Sequence, residues 1–305
     1  MDGFKFLTGK YDLSNKNNVI DIINYYNNNK KFYESFSYLN NLGYYYENIN
    51  DIYYDTLIKY LSENRKESAD ENTPMVITWT ISPKNVPFLH MTDPQVRLRE
   101  NLLGLCAWIL DKSFKNILIV ESSEFKLNTD KLFDIGKEFG KNIEFISFQG
   151  SDNVSKFGKG YGEGENLEYA FDNSKILNET KFDKFVKMNG KQYVPFYEYL
   201  FMNSKGSFEY FNLHYIANKL AIDTRFYCVN TSYYKEELFH AYKQVNDYEN
   251  NYLEHVFYET VKDRINYYVP REPIVLGKQG SVDKNYGNYP EIVHNLCNRL
   301  LKEII

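Results

Sequence analysis

The sequence predicts an α/β protein with a mostly parallel sheet, helices on both faces and a helical N-terminal extension. Two observations carry this. From residue 75 onward, short β-branched runs alternate with longer segments whose apolar residues recur at helical spacing. Such alternation builds parallel sheets, because parallel neighbours need a crossover, usually a helix, between them. Before residue 72 the chain is instead rich in Asn, Lys and Tyr and shows helical spacing alone.

Taken in order, Val19, Ile22 and Ile23, and later Leu57, Ile58 and Leu61, mark two helices in residues 1–72. Residues 63–74 (ENRKESADENTP) are charged, nearly free of apolar side chains and end in proline, as a linker or exposed loop does. A boundary falls there, giving an extension over 1–72 and a main domain over 73–305. So few aliphatic residues could scarcely close a core alone, so a helical hairpin resting on the main domain is the expectation.

Residues 75–81 (MVITWTI) form the first strand, stopped by Ser82 and Pro83. Leu98, Leu102, Leu105, Cys106, Ile109 and Leu110 line one helix face, and a buried-type strand over 116–120 follows. A helix near 129–139 and a third strand over 143–148 come next. In open parallel sheets ligands sit beyond the carboxyl ends of the strands, so Ser82, Glu121, Ser122 and the loop over 150–164 share the functional edge.

Residues 158–191 are the centre of interest. Glycines at 158, 160, 162 and 164 read as a loop leading into a helix marked by Leu167, Ala170, Phe171, Ser174 and Leu177. A glycine loop entering a helix N-terminus is a cradle for phosphate; the alternative is a surface turn. A strand over 182–188 then delivers Lys187, Asn189, Gly190 and Lys191 into a turn. These lysines are either a second cationic lip or ordinary solvated strand-end residues.

Composition narrows the function. A net charge of −5 argues against a dedicated nucleic-acid binder. Cys106, Cys228 and Cys297 stand singly, which excludes a disulfide framework and fits a reducing compartment such as the cytoplasm. The first residues lack a signal-peptide core and no apolar run is long enough to span a bilayer, so the expectation is a soluble protein with at most peripheral contact at the inner face of a membrane. Tyr and Phe supply 51 residues, but Asn, Lys and Ile are equally abundant, so no aromatic platform is inferred.

This order resembles glycosyltransferases of the GT-A fold, over about residues 75–290. Val120-Glu121-Ser122-Ser123 stands where that family ends its second strand in an acid near Ser that holds the nucleotide. Gly162-Glu163-Gly164-Glu165-Asn166 is similar to the family's glycine loop and Arg-Asn pair, with Glu165 in place of Arg. The resemblance implies a nucleotide-sugar donor held by Ser82, Glu121, Ser122, Gly160, Gly162, Asn166, Lys187, Asn189, Gly190 and Lys191. The family usually binds a divalent cation through Asp-X-Asp after the next strand, whereas this chain has Lys187-Met188-Asn189-Gly190-Lys191. A hard cation needs oxygen ligands and lysine repels it, so the implied enzyme is a metal-independent variant without a resident cofactor, similar to bacterial enzymes of capsule and lipopolysaccharide synthesis. Lysine neutralises diphosphate directly. Asp223-Thr-Arg225-Phe, the segment around Glu254 and His255, and residues 273–281 also resemble such sequences.

Transfer to an acceptor hydroxyl requires a base if the outcome is inverting. Glu254 projects from the edge of a helix face made by Leu253, Val256, Phe257 and Val261, whereas His255 lies on the opposite side. Glu254 is the better-placed base or else a half-buried acid in an ion pair; His255, Asp223 and Arg225 are reserves. His90, His214, His240 and His294 have no metal-ligand spacing. The C-terminal segment 290–305 is an amphipathic helix that caps the core, pairs in a homodimer or rests on a membrane, in that order. Two function classes remain: a glycosyltransferase extending a surface glycan, and a non-enzymatic binding or assembly protein retaining a nucleotide-fold shell, with the tyrosine-rich N-terminal helices as its interface and a second route to a homodimer. A methyltransferase is weaker, since its cofactor has no diphosphate for the lysines.

Overall fold

The structure is a computed structural model that describes residues 16–29, 31, 35, 50–62, 72–179, 181–195, 211, 213–263, 275–280 and 285–305. Two compact units divide the chain, Met1–Asn64 and Arg65–Ile305. The first contains α1 (Lys16–Asn28) and α2 (Asn50–Ser62), with Ile22, Ile23, Leu57 and Leu61 buried and Asn27 Nδ2 donating to Thr56 Oγ1 at 2.9 Å. Residues 63–71 of the charged stretch lie outside the described residues.

The second unit is built on β1 (Met75–Trp79), β2 (Asn116–Glu121), β3 (Asn142–Ser147), β4 (Lys184–Asn189) and β8 (Phe226–Asn230), in spatial order β3-β2-β1-β4-β8. The first four are parallel and β8 runs antiparallel at the edge. Every residue of β1 and β2 is buried, which is why both read as continuous apolar runs rather than alternating ones. Helices α3 (Pro94–Leu110) and α4 (Thr129–Glu138) make the β1–β2 and β2–β3 crossovers. Asp93 starts α3 by accepting from Gln95 N and Val96 N, with Pro94 pre-set for the first turn.

After β3 the chain turns back through α5 (Asn153–Phe157), α6 (Lys159–Asn173) and α7 (Lys175–Glu179) to β4, on the far side of β1. The direction of winding therefore reverses between β1 and β4, and a crevice must open beyond their carboxyl ends. The glycine stretch departs from the expected loop. Helix α6 starts at Lys159, so Gly160, Gly162 and Gly164 lie within its first turns. Glycine is a poor helix former, and here it serves close packing. A methyl group on Gly160 would meet Leu253 Cβ at 2.9 Å and one on Gly164 would overlap the Tyr242 ring. Of these four glycines only Gly158, at φ 109°, needs the left-handed region.

The remaining strands are β5 (Gln192–Tyr193), β6 (Leu213–Ile216), β7 (Lys219–Ile222), β9 (Leu276–Lys278) and β10 (Asn285–Gly287), which form a β10-β9-β5 sheet and a β6-β7 hairpin. Helical turns over 231–249 lead to α8 (Leu253–Val261), whose Leu253, Val256, Phe257 and Val261 join Tyr161, Phe171, Phe185, Tyr227 and Tyr234 in one aromatic-rich core. The C-terminal helix α9 (Glu291–Ile304) packs on α3 and α4, burying Val293, Leu296, Cys297, Leu300 and Ile304. Core packing thus accounts for its apolar stripe. Among the described residues no helix is long and apolar enough to cross a membrane.

Candidate functional site

A cavity of about 320 Å³ occupies the crevice. Thr78, Thr80 and Ser82 line it from the end of β1, Ser122 from the end of β2, Gln149 and Gly150 from beyond β3, and Asn189, Lys191 and Gln192 from the β4–β5 turn. Gly162, Glu163 and Asn166 face it from α6, Arg97 from α3, Thr224 and Arg225 from before β8, Glu254 from α8, Lys278 from the end of β9 and Gly280 from just beyond it.

Of the residues singled out from sequence, Ser82, Ser122, Gly162, Asn166, Asn189, Lys191 and Glu254 come together here. Ser122 Oγ lies 2.7 Å from Thr80 Oγ1, so one hydroxyl bonds the other and the pair spans β1 and β2 at the cavity edge. Asn166 is buried and its Oδ1 has no hydrogen-bond partner among the described residues. A buried amide oxygen left unpaired on a cavity wall is set to accept from a ligand.

Glu121, expected to touch the nucleotide, does not line the cavity. Its carboxylate accepts from Ile81 N at 3.0 Å, Ser123 N at 3.0 Å, Phe125 N at 2.9 Å, Ser147 Oγ at 3.0 Å and Ser123 Oγ. Five donors saturate it, so Glu121 ties the ends of three strands together. Gly160 packs on Leu253, and Gly190 sits against Trp79 and Asn101, where a side chain would not fit.

The two lysines have different environments. Lys187 is fully buried below the cavity, ion-paired with Glu163 and donating to Asn189 Oδ1 and Thr224 O, each at 2.6 Å. Its three donors are spent. Burial holds the Lys187 ammonium below its usual range and the Glu163 carboxyl above its own, each opposed by the attraction of the other. Lys191 is half-buried, faces the cavity and makes no ion pair among the described residues. Burial, then the neighbouring Arg97 charge, pushes its ammonium down to about 7.

Glu254 makes no hydrogen bond or ion pair among the described residues and faces the cavity near Glu163 and Lys187. His255 is not on a solvent side, as the helical projection suggests. It is buried, with Nε2 3.1 Å from Ile216 O and Nδ1 3.3 Å from Asn250 O, and has no face on the cavity. Asp223 is also behind the wall, accepting from Arg225 Nε at 2.8 Å and Nη2 at 2.5 Å. It positions Arg225, whose guanidinium lies 4.8 Å from the Tyr286 ring centroid.

Sequence reading passed over Arg97, Glu163 and Gln192. A signal for Arg97 was present: an arginine in the first turn of a helix that follows a strand end. Gln192 is buried with Oε1 unpartnered, and gave no signal beyond adjacency to Lys191. At the end of β4 the donor set is Asn189, Gly190 and Lys191, and Glu163 is engaged by Lys187. These groups do not fit a divalent cation.

No family model matches the chain, and no curated protein is similar to it in sequence. Solved structures similar to it include the glycosyltransferase GlyE of Streptococcus pneumoniae TIGR4, at 10% identity and a TM-score of 0.41 over 66% of this chain and 46% of that one. A nucleoside-diphosphate-sugar pyrophosphorylase from Vibrio cholerae RC9 is similar at 13% identity and a TM-score of 0.40, over 73% of this chain and 99% of that one. The galactosyltransferase LgtC, solved with donor and acceptor sugar analogues, is similar at 8% identity and a TM-score of 0.39, over 61% and 69%. The chain thus spans less than half the length of GlyE. At such distances the functional reading rests on the side chains of the cavity.

Proposed function

We propose that this protein is a nucleotide-sugar transferase that passes a glycosyl group to a glycan hydroxyl without a divalent cation. One observation carries the reading. The crevice at the reversal of the sheet holds a cation without a carboxylate partner, Lys191, and a carboxylate without a cation partner, Glu254. Lys191 suits the diphosphate leaving group, whose charge grows as the glycosyl bond breaks. Glu254 suits the acceptor hydroxyl, taking its proton as the new bond forms. Ser82, Ser122 and the Gln149–Gly150 segment offer uncharged hydrogen-bonding groups for the nucleoside, and Asn166 an amide for the sugar hydroxyls.

The reaction needs no resident cofactor, the donor being a substrate. The acceptor is a surface glycan on this reading, the enzyme works in the cytoplasm or at the inner face of the membrane, and any self-association is through helices outside the cavity. A thermal-shift screen of nucleoside diphosphates and nucleotide sugars tests it. A ligand present at about 100 times its Kd adds about 2.7 kcal/mol of stability, and chelator should leave that gain unchanged. A gain abolished by chelator and restored by Mn²⁺ overturns metal independence. No shift with any nucleotide or nucleotide sugar overturns the transferase reading.

A further inference from the structure

Arg97 is a buried guanidinium whose hydrogen bonds go to neutral groups, Nε to Thr80 O at 2.6 Å and Nη1 to Met91 O at 2.9 Å. Among the described residues no carboxylate pairs with it. A methyl group built on Gly280 would stand 3.6 Å from Arg97 Nη1 and 3.6 Å from Lys191 Nζ. The two nitrogens are therefore at most about 7 Å apart, where like charges repel strongly when water is scarce. Both line the cavity. A buried and a half-buried cation facing one space, neither in an ion pair among the described residues, are costly, and the cost falls when an anion enters between them.

We propose that Arg97 and Lys191 form a single anion site, closed on one side by Gly280, that takes the pyrophosphate group of the substrate in place of a divalent cation. The nature of the ligand rests on the transferase reading; the anion site itself rests on the side chains alone. Arg97 supplies a planar fork fixed by Thr80 and Met91, and Lys191 a mobile point charge. The missing side chain at Gly280 leaves room for the oxygen atoms, since a methyl group there would already sit 3.2 Å from Lys191 Cε.

A proton follows from this geometry. In the empty cavity Lys191 faces Arg97 and Glu100 of α3, Glu163 of α6 and Lys187 of β4, and shares the cavity with Arg225, Glu254 and Lys278. Burial and Arg97 outweigh the acids, leaving Lys191 about half protonated near pH 7. An entering anion favours the charged form, so above that pH binding draws a proton from solvent onto Nζ.

The test is calorimetry on the full chain with inorganic pyrophosphate and with uridine diphosphate. Lys191→Met and Arg97→Gln should each weaken pyrophosphate binding about ten- to a hundredfold, the loss expected for one charge-assisted contact. At about pH 8.5, in buffers of different ionisation enthalpy, the wild type should take up close to one proton more than Lys191→Arg, whose side chain stays charged. Unchanged affinity in Lys191→Met, or equal proton counts in the wild type and Lys191→Arg, overturns the proposal. Should Arg97→Gln fail to fold, the lysine variants decide alone. Pyrophosphate bound in this way with no nucleotide sugar bound leaves the anion site standing and overturns the transferase reading. A nucleotide sugar bound equally by wild type and both charge-removing variants does the reverse.

Discussion

The carboxylate of Asp247 accepts the backbone N–H of Lys159 at 3.0 Å and so fills the N-terminus of the helix that carries Glu163 and Asn166. That position is where a phosphate would otherwise bind. A buried side-chain anion holds it instead, and the ligand is left to the side chains of the crevice.

Asp247 itself is pushed above the usual carboxylate range by burial, against the pull of Lys159. An acid whose folded pKa exceeds its unfolded value weakens the folded state as pH rises through the interval between the two. Asp247→Asn keeps an acceptor for Lys159 N–H and should flatten that acid-side slope, with stability at pH 7 equal to the wild type or better. Asp247→Ala loses the cap and should cost about 1 kcal/mol. Denaturant midpoints between about pH 4 and 7 check both.

Lys187→Ala should act on stability. Removing the fully buried ammonium leaves the half-buried Glu163 carboxylate without its partner, and breaking such a pair costs up to about 3–5 kcal/mol. Chemical denaturation should show that loss for Lys187→Ala. Lys191→Ala should unfold at or above the wild-type midpoint, because it removes a charge held beside Arg97, and equal midpoints for the two variants would contradict the burial difference.

Glu254→Gln should leave nucleotide affinity nearly intact and lower turnover by about 10²–10⁴, the range for a lost general base. Calorimetry and a transfer assay read the two effects separately. Transfer at the wild-type rate would remove Glu254 from the mechanism; Asp223, locked to Arg225, could not replace it without breaking that pair.

Gly164→Ala should destabilise the protein by about 1–3 kcal/mol, the cost of overpacking, although in an exposed helix the same change gains about 1 kcal/mol. The added methyl would overlap the Tyr242 ring. A midpoint at or above the wild-type value would show that the ring can move aside.

Ending the chain at Asn288 removes α9 and uncovers the faces of α3 and α4 beneath it. Five buried side chains at about 1.5–3 kcal/mol each amount to a sum comparable with a domain's whole usual margin, so the truncated protein should be insoluble or unfolded. A folded, monomeric product in size-exclusion chromatography would count against this.

Alternation of apolar runs in the sequence was enough to determine the parallel sheet, because a strand buried on both faces must be apolar throughout and a helix beside it must be apolar on one stripe. The same alternation placed Ser82, Ser122, Asn189 and Lys191 at the carboxyl edge, since that edge follows from chain direction. Tertiary structure decided the rest. Glycines at 160, 162 and 164 read as a loop because glycine disfavours helix, and only the approach of Leu253, Val154 and Tyr242 respectively shows why a helix tolerates them. Lys187 and Lys191 look equivalent in sequence; Glu163 and Thr224 lie over one and leave the other open to the cavity. Arg97, 94 residues from Lys191 along the chain, meets it only because α3 and the β4–β5 turn border the same crevice. Depth of burial and the choice of partner depend on residues distant in sequence, so local pattern could name the charged groups but not the space they face.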